Sequence, residues 1–229
     1  MSHAFQFLFG YLPYVALTVF FVGSLMRFDR EQYTWRSGSS QMLRKESLSR
    51  ASNLFHIGIL LLFAGHFVGL LTPPEVYHAF GLSAGGKQLL ACVAGGVFGT
   101  LCLVGLTLLL RRRLTDPRIR KTSSSMDIAI LGILWVQLVL GLITVPLSLG
   151  HLDGGMMLKL ADWAQRIVTF RAGAAEQIVG VPFVYRLHLV LGMVIFILFP
   201  FSRLVHIWSA PVGYLGRSYQ IVRTRFRHV

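Results

Sequence analysis

Apolar residues along the 229-residue chain gather into five long runs at about 5–26, 51–71, 89–110, 127–149 and 183–207, parted by short polar or basic stretches. Each run is close to the roughly 20 residues that an α-helix needs to cross a hydrocarbon core of about 30 Å. Lone strands leave their backbone unsatisfied in lipid, so each run is predicted to be helical. The expected fold is an all-α integral membrane protein with five transmembrane helices and a single membrane domain over 1–229. Run 5–26 lacks the basic flank and small-residue cleavage site of an export signal, and is expected to remain as the first span.

The longest connection, 150–182, carries a different pattern. Met156, Leu160, Trp163, Ile167 and Phe170 recur at helical spacing, with Lys159, Asp162, Gln165 and Arg166 between them. That periodicity predicts an amphipathic helix lying in the membrane interface.

Composition sharpens this picture. Hydrophobic residues make up 54% of the chain and charged residues 14%, against about 25% charged in typical soluble domains. The formal net charge of +13 does not point to nucleic acid, because no aromatic stacking platform interleaves with the basic residues. They cluster instead at the ends of the apolar runs. Arg27, Arg30, Arg36, Arg44, Lys45 and Arg50 follow the first run; Arg111, Arg112, Arg113, Arg118, Arg120 and Lys121 follow the third; Arg203, Arg217, Arg223, Arg225 and Arg227 close the chain, in and before a basic tail at 208–229. These are 17 of the 22 Lys and Arg residues. The positive-inside rule places them in the cytoplasm, with the N-terminus and the 150–182 loop outside and the C-terminus inside.

Cys92 and Cys102 share one apolar run. Ten helical residues separate them by about 15 Å, too far for a disulfide. Without CxxC or CxxCH, iron–sulfur ligation and covalent c-type haem have no motif.

Of the eight histidines, four lie within apolar runs: His56 and His66 in the second, His188 and His206 in the fifth. Ionisable residues within spans are costly and functional by default. The two helices run in opposite directions, so His56 is expected to face His206 near the inside and His66 to face His188 near the outside. That is a bis-imidazole pattern, two ligand pairs for two haems between helices 2 and 5. One mismatch stands. His56 and His66 are about 15 Å apart along an ideal helix and His188 and His206 about 27 Å; tilt of the fifth helix or a break near Pro200 would absorb part of it. A shared zinc or non-haem iron is disfavoured, since residues ten apart cannot reach one ion and no carboxylate lies in either helix. Gly65, Gly69 and Gly192 leave room for a flat macrocycle, and the same small residues equally permit close helix contact. Arg203, one turn before His206, and Arg112 in the cluster Arg111–Arg113 are candidate partners for haem propionates; snorkelling toward the cytoplasm explains them as well.

The stretches QYTWRSGSSQML, ASNLFHIGILLLFAGHFVGLLTP, HLDGGMMLKLADWAQRIVTF, YRLHLVLGM and FPFSRLVHIWSAPVGYL closely resemble the gamma, or cytochrome b, subunit of respiratory membrane-bound nitrate reductase. The resemblance spans nearly the whole chain. It implies a membrane anchor in the bacterial cytoplasmic (inner) membrane that oxidises menaquinol or ubiquinol near the outer face. It implies two b-type haems, the outer on His66 and His188 and the inner on His56 and His206. Electrons then pass to a cytoplasmic iron–sulfur beta subunit and a molybdenum-cofactor alpha subunit. It also places Lys87, at the start of the third span, at the quinol oxygen, with Gly65 in the same pocket. From the residues alone, Lys87 is a lone interfacial cation. The remaining alternatives are a dihaem subunit of a heterodisulfide- or sulfite-type reductase, or a non-haem transporter or assembly protein whose histidines relay protons. The last predicts no chromophore.

Overall fold

A computed structural model describes residues 1–35, 43, 45–150, 152–209 and 216. Arg36, Arg44, His151, His228 and the basic tail beyond Ser209, apart from Gly216, lie outside the described residues. Among the described residues, five helices are long and apolar enough to cross a membrane: α1 (His3–Arg30), α2 (Lys45–Leu71), α3 (Ala84–Thr115), α4 (Ser125–Leu149) and α5, whose α-helical part is Phe183–Leu198. No strand occurs among the described residues.

The helices pack as an arc rather than in simple sequence order. α2 lies on α3, α3 on α4, α4 on α5, and α5 on α1. The tightest crossing, α2 on α3, is made by glycine. A Cβ on Gly58 would fall 2.6 Å from Cys102 Cβ, and one on Gly105 would fall 2.8 Å from the Ala51 carbonyl oxygen. Without side chains there the two backbones approach closely. Cys102, Leu106, Leu131 and Leu138 form the buried centre of this half. Both cysteines are free thiols.

Prolines shape the other half. Pro13 lacks an N–H, so the carbonyl four residues back, on Phe9, loses its helical donor. The turn Phe7–Tyr11 widens into a π-helix, and the buried Phe9 carbonyl accepts from Trp163 Nε1 at 2.9 Å. Trp163 belongs to the helix Gly155–Val168 in the long connection. The apolar side of that helix is buried in protein: Trp163, Ala164 and Ile167 pack with Phe9, Ala175, Ile178, Val181 and Tyr185. Phe170 falls outside the helix that its spacing suggested. It has φ +56° and stacks on Tyr14 with ring centres 5.6 Å apart.

Pro200 breaks the fifth span. α5 gives way to a 3₁₀ turn at Phe199–Phe201, Ser202 is extended with ψ 178°, and a second 3₁₀ segment runs Arg203–Ser209. Arg27 of α1 holds the break, donating through Nη1 to the carbonyls of Pro200 at 2.7 Å and Ser202 at 2.8 Å. His188 to Leu198 is ten helical residues, about 15 Å, the same rise as His56 to His66. The remaining residues to His206 lie past the break, and with the His56 and His206 ring centres 6.3 Å apart the break accommodates the spacing mismatch.

Two histidine pairs and a cleft beside them

His66 on α2 and His188 on α5 stand with ring centres 6.2 Å apart and planes at 34°. His56 on α2 and His206 after the break stand 6.3 Å apart at 72°. These are the two pairs expected from depth. Each ring is fixed through Nδ1 to a backbone carbonyl. His56 Nδ1 meets Ser52 O at 2.7 Å and His66 Nδ1 meets Leu62 O at 2.8 Å. His188 Nδ1 meets Gln137 O at 3.1 Å and His206 Nδ1 meets Arg203 O at 2.6 Å. A ring nitrogen facing a carbonyl must be the N–H donor, so each Nδ1 carries the proton and each Nε2 a lone pair able to bind a metal, that of His188 also facing the Gln137 amide at 3.4 Å.

The spacing fits one metal ion between each pair. A metal–imidazole bond of about 2.0–2.1 Å on either side, plus roughly 1.1–1.2 Å from nitrogen to ring centre, separates two ring centres by about 6.2–6.6 Å. Among the described residues no three His, Cys, Asp or Glu side chains gather into a metal site. Two imidazoles facing one another would suit an iron that brings its remaining ligands with it, as haem does. The glycines beside the His66–His188 pair divide in role. A Cβ on Gly65 or Gly69 would meet nothing within 4 Å, so neither serves a helix crossing. A Cβ on Gly192 would meet Gln137 Nε2 at 3.4 Å, so this glycine makes room for an amide.

Gln137 and Gly141, which sequence reasoning passed over, both shape the seat of His188. Gln137 accepts from the ring through its backbone carbonyl and donates from Nε2 to the His188 carbonyl at 3.0 Å. Its Nε2 also lies 3.4 Å from His188 Nε2. A Cβ on Gly141 would sit 3.0 Å from His188 Cε1. The available signal was Gln137 itself, an amide in the middle of an apolar run.

The two candidate propionate arginines have protein partners. Arg203 Nη1 lies 3.8 Å from Asp127 Oδ1, and Arg113 Nη1 lies 3.9 Å from Asp127 Oδ2. Arg112 Nη2 donates to the Leu43 carbonyl.

Lys87 is not a snorkelling surface cation, being only 7% exposed. Ser83 caps α3, accepting from Gly86 N at 3.0 Å, and sets Lys87 in the first helical turn. The positive end of α3 disfavours a cation there. The C-terminal end of α2 compensates: Lys87 Nζ donates to Thr72 O at 3.1 Å and sits 4.2 Å from the centre of the Tyr77 ring. Gln165, from the helix Gly155–Val168, donates to Leu70 O at 3.1 Å, satisfying another of the last carbonyls of α2. Thr72, Tyr77, Lys87, Asp162, Gln165 and Arg171 help line a cleft of about 440 Å³. α2 ends five residues past His66, about 7–8 Å along its axis, so this cleft adjoins the His66–His188 end of the bundle.

The fold and these sites define a polytopic helical membrane protein with two histidine pairs stacked along its axis. The family model described as nitrate reductase gamma subunit matches residues 5–225. The respiratory nitrate reductase 1 gamma chain of Escherichia coli (strain K12) is 56% identical over 220 residues, covering 96% of this chain and 97% of that one. The respiratory nitrate reductase 2 gamma chain of the same organism is also 56% identical, covering 96% of each. The nitrate reductase gamma chain of Bacillus subtilis (strain 168) is 39% identical, covering 96% of this chain and 98% of that one. The chain belongs to the nitrate reductase gamma subunit family. It is a membrane subunit of a respiratory nitrate reductase, a complex that contains other subunits.

Proposed function

We propose that this subunit is the dihaem cytochrome b anchor of the complex. It oxidises menaquinol or ubiquinol near the outer face and delivers electrons to a cytoplasmic iron–sulfur beta subunit, which feeds a molybdenum-cofactor alpha subunit. The observation that carries this reading is the pair of ring separations, 6.2 and 6.3 Å, each suited to one iron between two imidazoles.

When bound, the two b-type haems supply one-electron carriage across the membrane. The chain does the rest. His66 and His188 hold the outer centre and His56 and His206 the inner one, with every Nδ1 proton committed to a carbonyl. Gln137 and Gly141 fix the His188 ring from α4. Lys87 donates to the quinol oxygen in the outer cleft, with Gly65 on the neighbouring helix face. Arg203 and Arg112 stand near the inner end, where propionates would add to the partners they already have. The basic clusters at the inner ends of the spans orient the chain with its N-terminus outside, in the cytoplasmic membrane of a bacterium. Quinol protons leave on the outside while electrons move inward. That movement costs about 2.3 kcal/mol per electron per 100 mV of membrane potential, drawn from the drop between quinol and nitrate, and contributes to the proton-motive force.

The test is a His66→Ala variant of the whole complex, assayed with quinol and with a reduced viologen dye that feeds the cytoplasmic subunits directly. Quinol-driven nitrate reduction is lost and dye-driven reduction persists. Normal quinol-driven rates in this variant would contradict the proposed route.

A further inference from the structure

Tyr77 lies on the short helix Pro74–Ala79, between α2 and α3. It is 6% exposed and lines the same cleft as Lys87. Its hydroxyl oxygen is buried and has no hydrogen-bond partner. Buried hydroxyls are normally satisfied, so an orphan on a residue that lines a cleft calls for a partner. Its ring is already engaged, since Lys87 Nζ rests 4.2 Å from the ring centre. One residue therefore steadies the lysine with its ring face and carries an unpartnered hydroxyl.

We propose that Tyr77 is a second hydrogen-bonding residue for quinol in this cleft, its hydroxyl contacting the same headgroup that Lys87 holds. This rests on the assignment of the cleft to quinol. The chemistry explains why a lysine alone is not enough. A lysine ammonium only donates, yet a quinol O–H must itself donate to something. The Tyr77 oxygen accepts that hydrogen bond from quinol. Once the headgroup is a quinone carbonyl, the same hydroxyl rotates and donates. A phenol serves both redox forms without moving its ring. Burial, and to a lesser degree Glu75 nearby, push the Tyr77 hydroxyl above its ordinary pKa, so it keeps its proton and both capacities at neutral pH.

The test compares Tyr77→Phe and Lys87→Ala in the intact complex. Oxidation of a short-tailed naphthoquinol is followed, with each rate normalised to viologen-driven nitrate reduction. Phenylalanine keeps the ring beneath Lys87 and removes only the hydroxyl. The expected result is a KM for the naphthoquinol raised about five- to tenfold in Tyr77→Phe, the size of one lost hydrogen bond to a neutral partner, and a larger defect in Lys87→Ala. A normal KM in Tyr77→Phe beside an impaired Lys87→Ala would overturn the role of Tyr77 and leave the cleft assigned to quinol. Normal quinol oxidation in both variants would overturn the cleft assignment itself, and this proposal with it.

Discussion

Arg27 donates to the Ser202 carbonyl at 2.8 Å, joining the C-terminal end of the first helix to the break in the fifth. The same nitrogen reaches the Pro200 carbonyl at 2.7 Å, and Nη2 reaches Thr34 O at 3.1 Å. One guanidinium thus fixes the bend that brings His206 level with His56. Charge-assisted bonds of this kind are each worth about 1.5–3 kcal/mol. Under the proposed function, Arg27→Ala loosens the inner pair and spares the outer one. A redox titration followed optically checks this: the inner centre shifts or broadens and the outer midpoint stays in place.

Gly141→Ala presses a methyl group to 3.0 Å from His188 Cε1. The ring must turn or retreat by a few tenths of an ångström. Gly132, on the same helix, has nothing within 4 Å of an added Cβ and serves as the matched control. Under the proposed function, Gly141→Ala is expected to change the low-spin electron paramagnetic resonance signature of the centre held by His66 and His188, which reports the angle between the imidazole planes. Gly132→Ala is expected to leave it unchanged.

Asp127 closes the N-terminus of α4 and faces two arginines. It completes a capping box with Ser124, with Ser124 N donating to Asp127 Oδ2 at 3.2 Å and Asp127 N donating to Ser124 Oγ at 3.0 Å. Arg113 and Arg203 approach it from either side, and all three side chains are less than one-fifth exposed. Removing the carboxylate leaves two half-dry cations facing one another. Asp127→Ala is expected to cost about 2–4 kcal/mol, seen as a lower midpoint of thermal unfolding in detergent. Asp127→Asn, which keeps much of the cap, is expected to lose less.

Gly58→Leu drives a side chain into Cys102, where even a Cβ would stand 2.6 Å from Cys102 Cβ. α2 and α3 must separate, and the His56 and His66 backbone moves with α2. Poor accumulation of the assembled complex is the expected outcome, measured by the amount recovered from membranes. Gly69→Ala, which meets nothing within 4 Å, is expected to accumulate normally.

Much of this architecture was legible before any coordinate, because lipid forces long apolar runs to be helices and histidines within them are too costly to be incidental. The pairing of His66 with His188 and of His56 with His206 followed from depth alone. What stayed hidden depends on side-chain direction. Gly65 and Gly69 share the spacing of a helix-crossing motif, yet the crossing uses Gly58 and Gly105, because only their face of α2 or α3 meets the other helix. The periodicity of the 150–182 loop was clear, but a hydrophobic face that rests on lipid and one that rests on Phe9 and Tyr185 have the same sequence. The end of that helix was misjudged at Phe170, where the chain turns to positive φ. Pro200 was visible as a possible break. That Arg27, 173 residues earlier, secures it is a tertiary fact with no local signal. Tyr77 carried no mark either, since a tyrosine in a short loop helix declares neither its burial nor its unpartnered hydroxyl.

The central claim is that each histidine pair holds one haem. A pyridine haemochrome assay on the purified chain, with a dithionite-reduced spectrum, measures it directly. The account predicts two b-type haems per polypeptide, with His66→Ala and His206→Ala each removing one. A single haem in the unmodified protein would mean that one pair is not a ligand set. A colourless protein from cells well supplied with haem would contradict the account altogether.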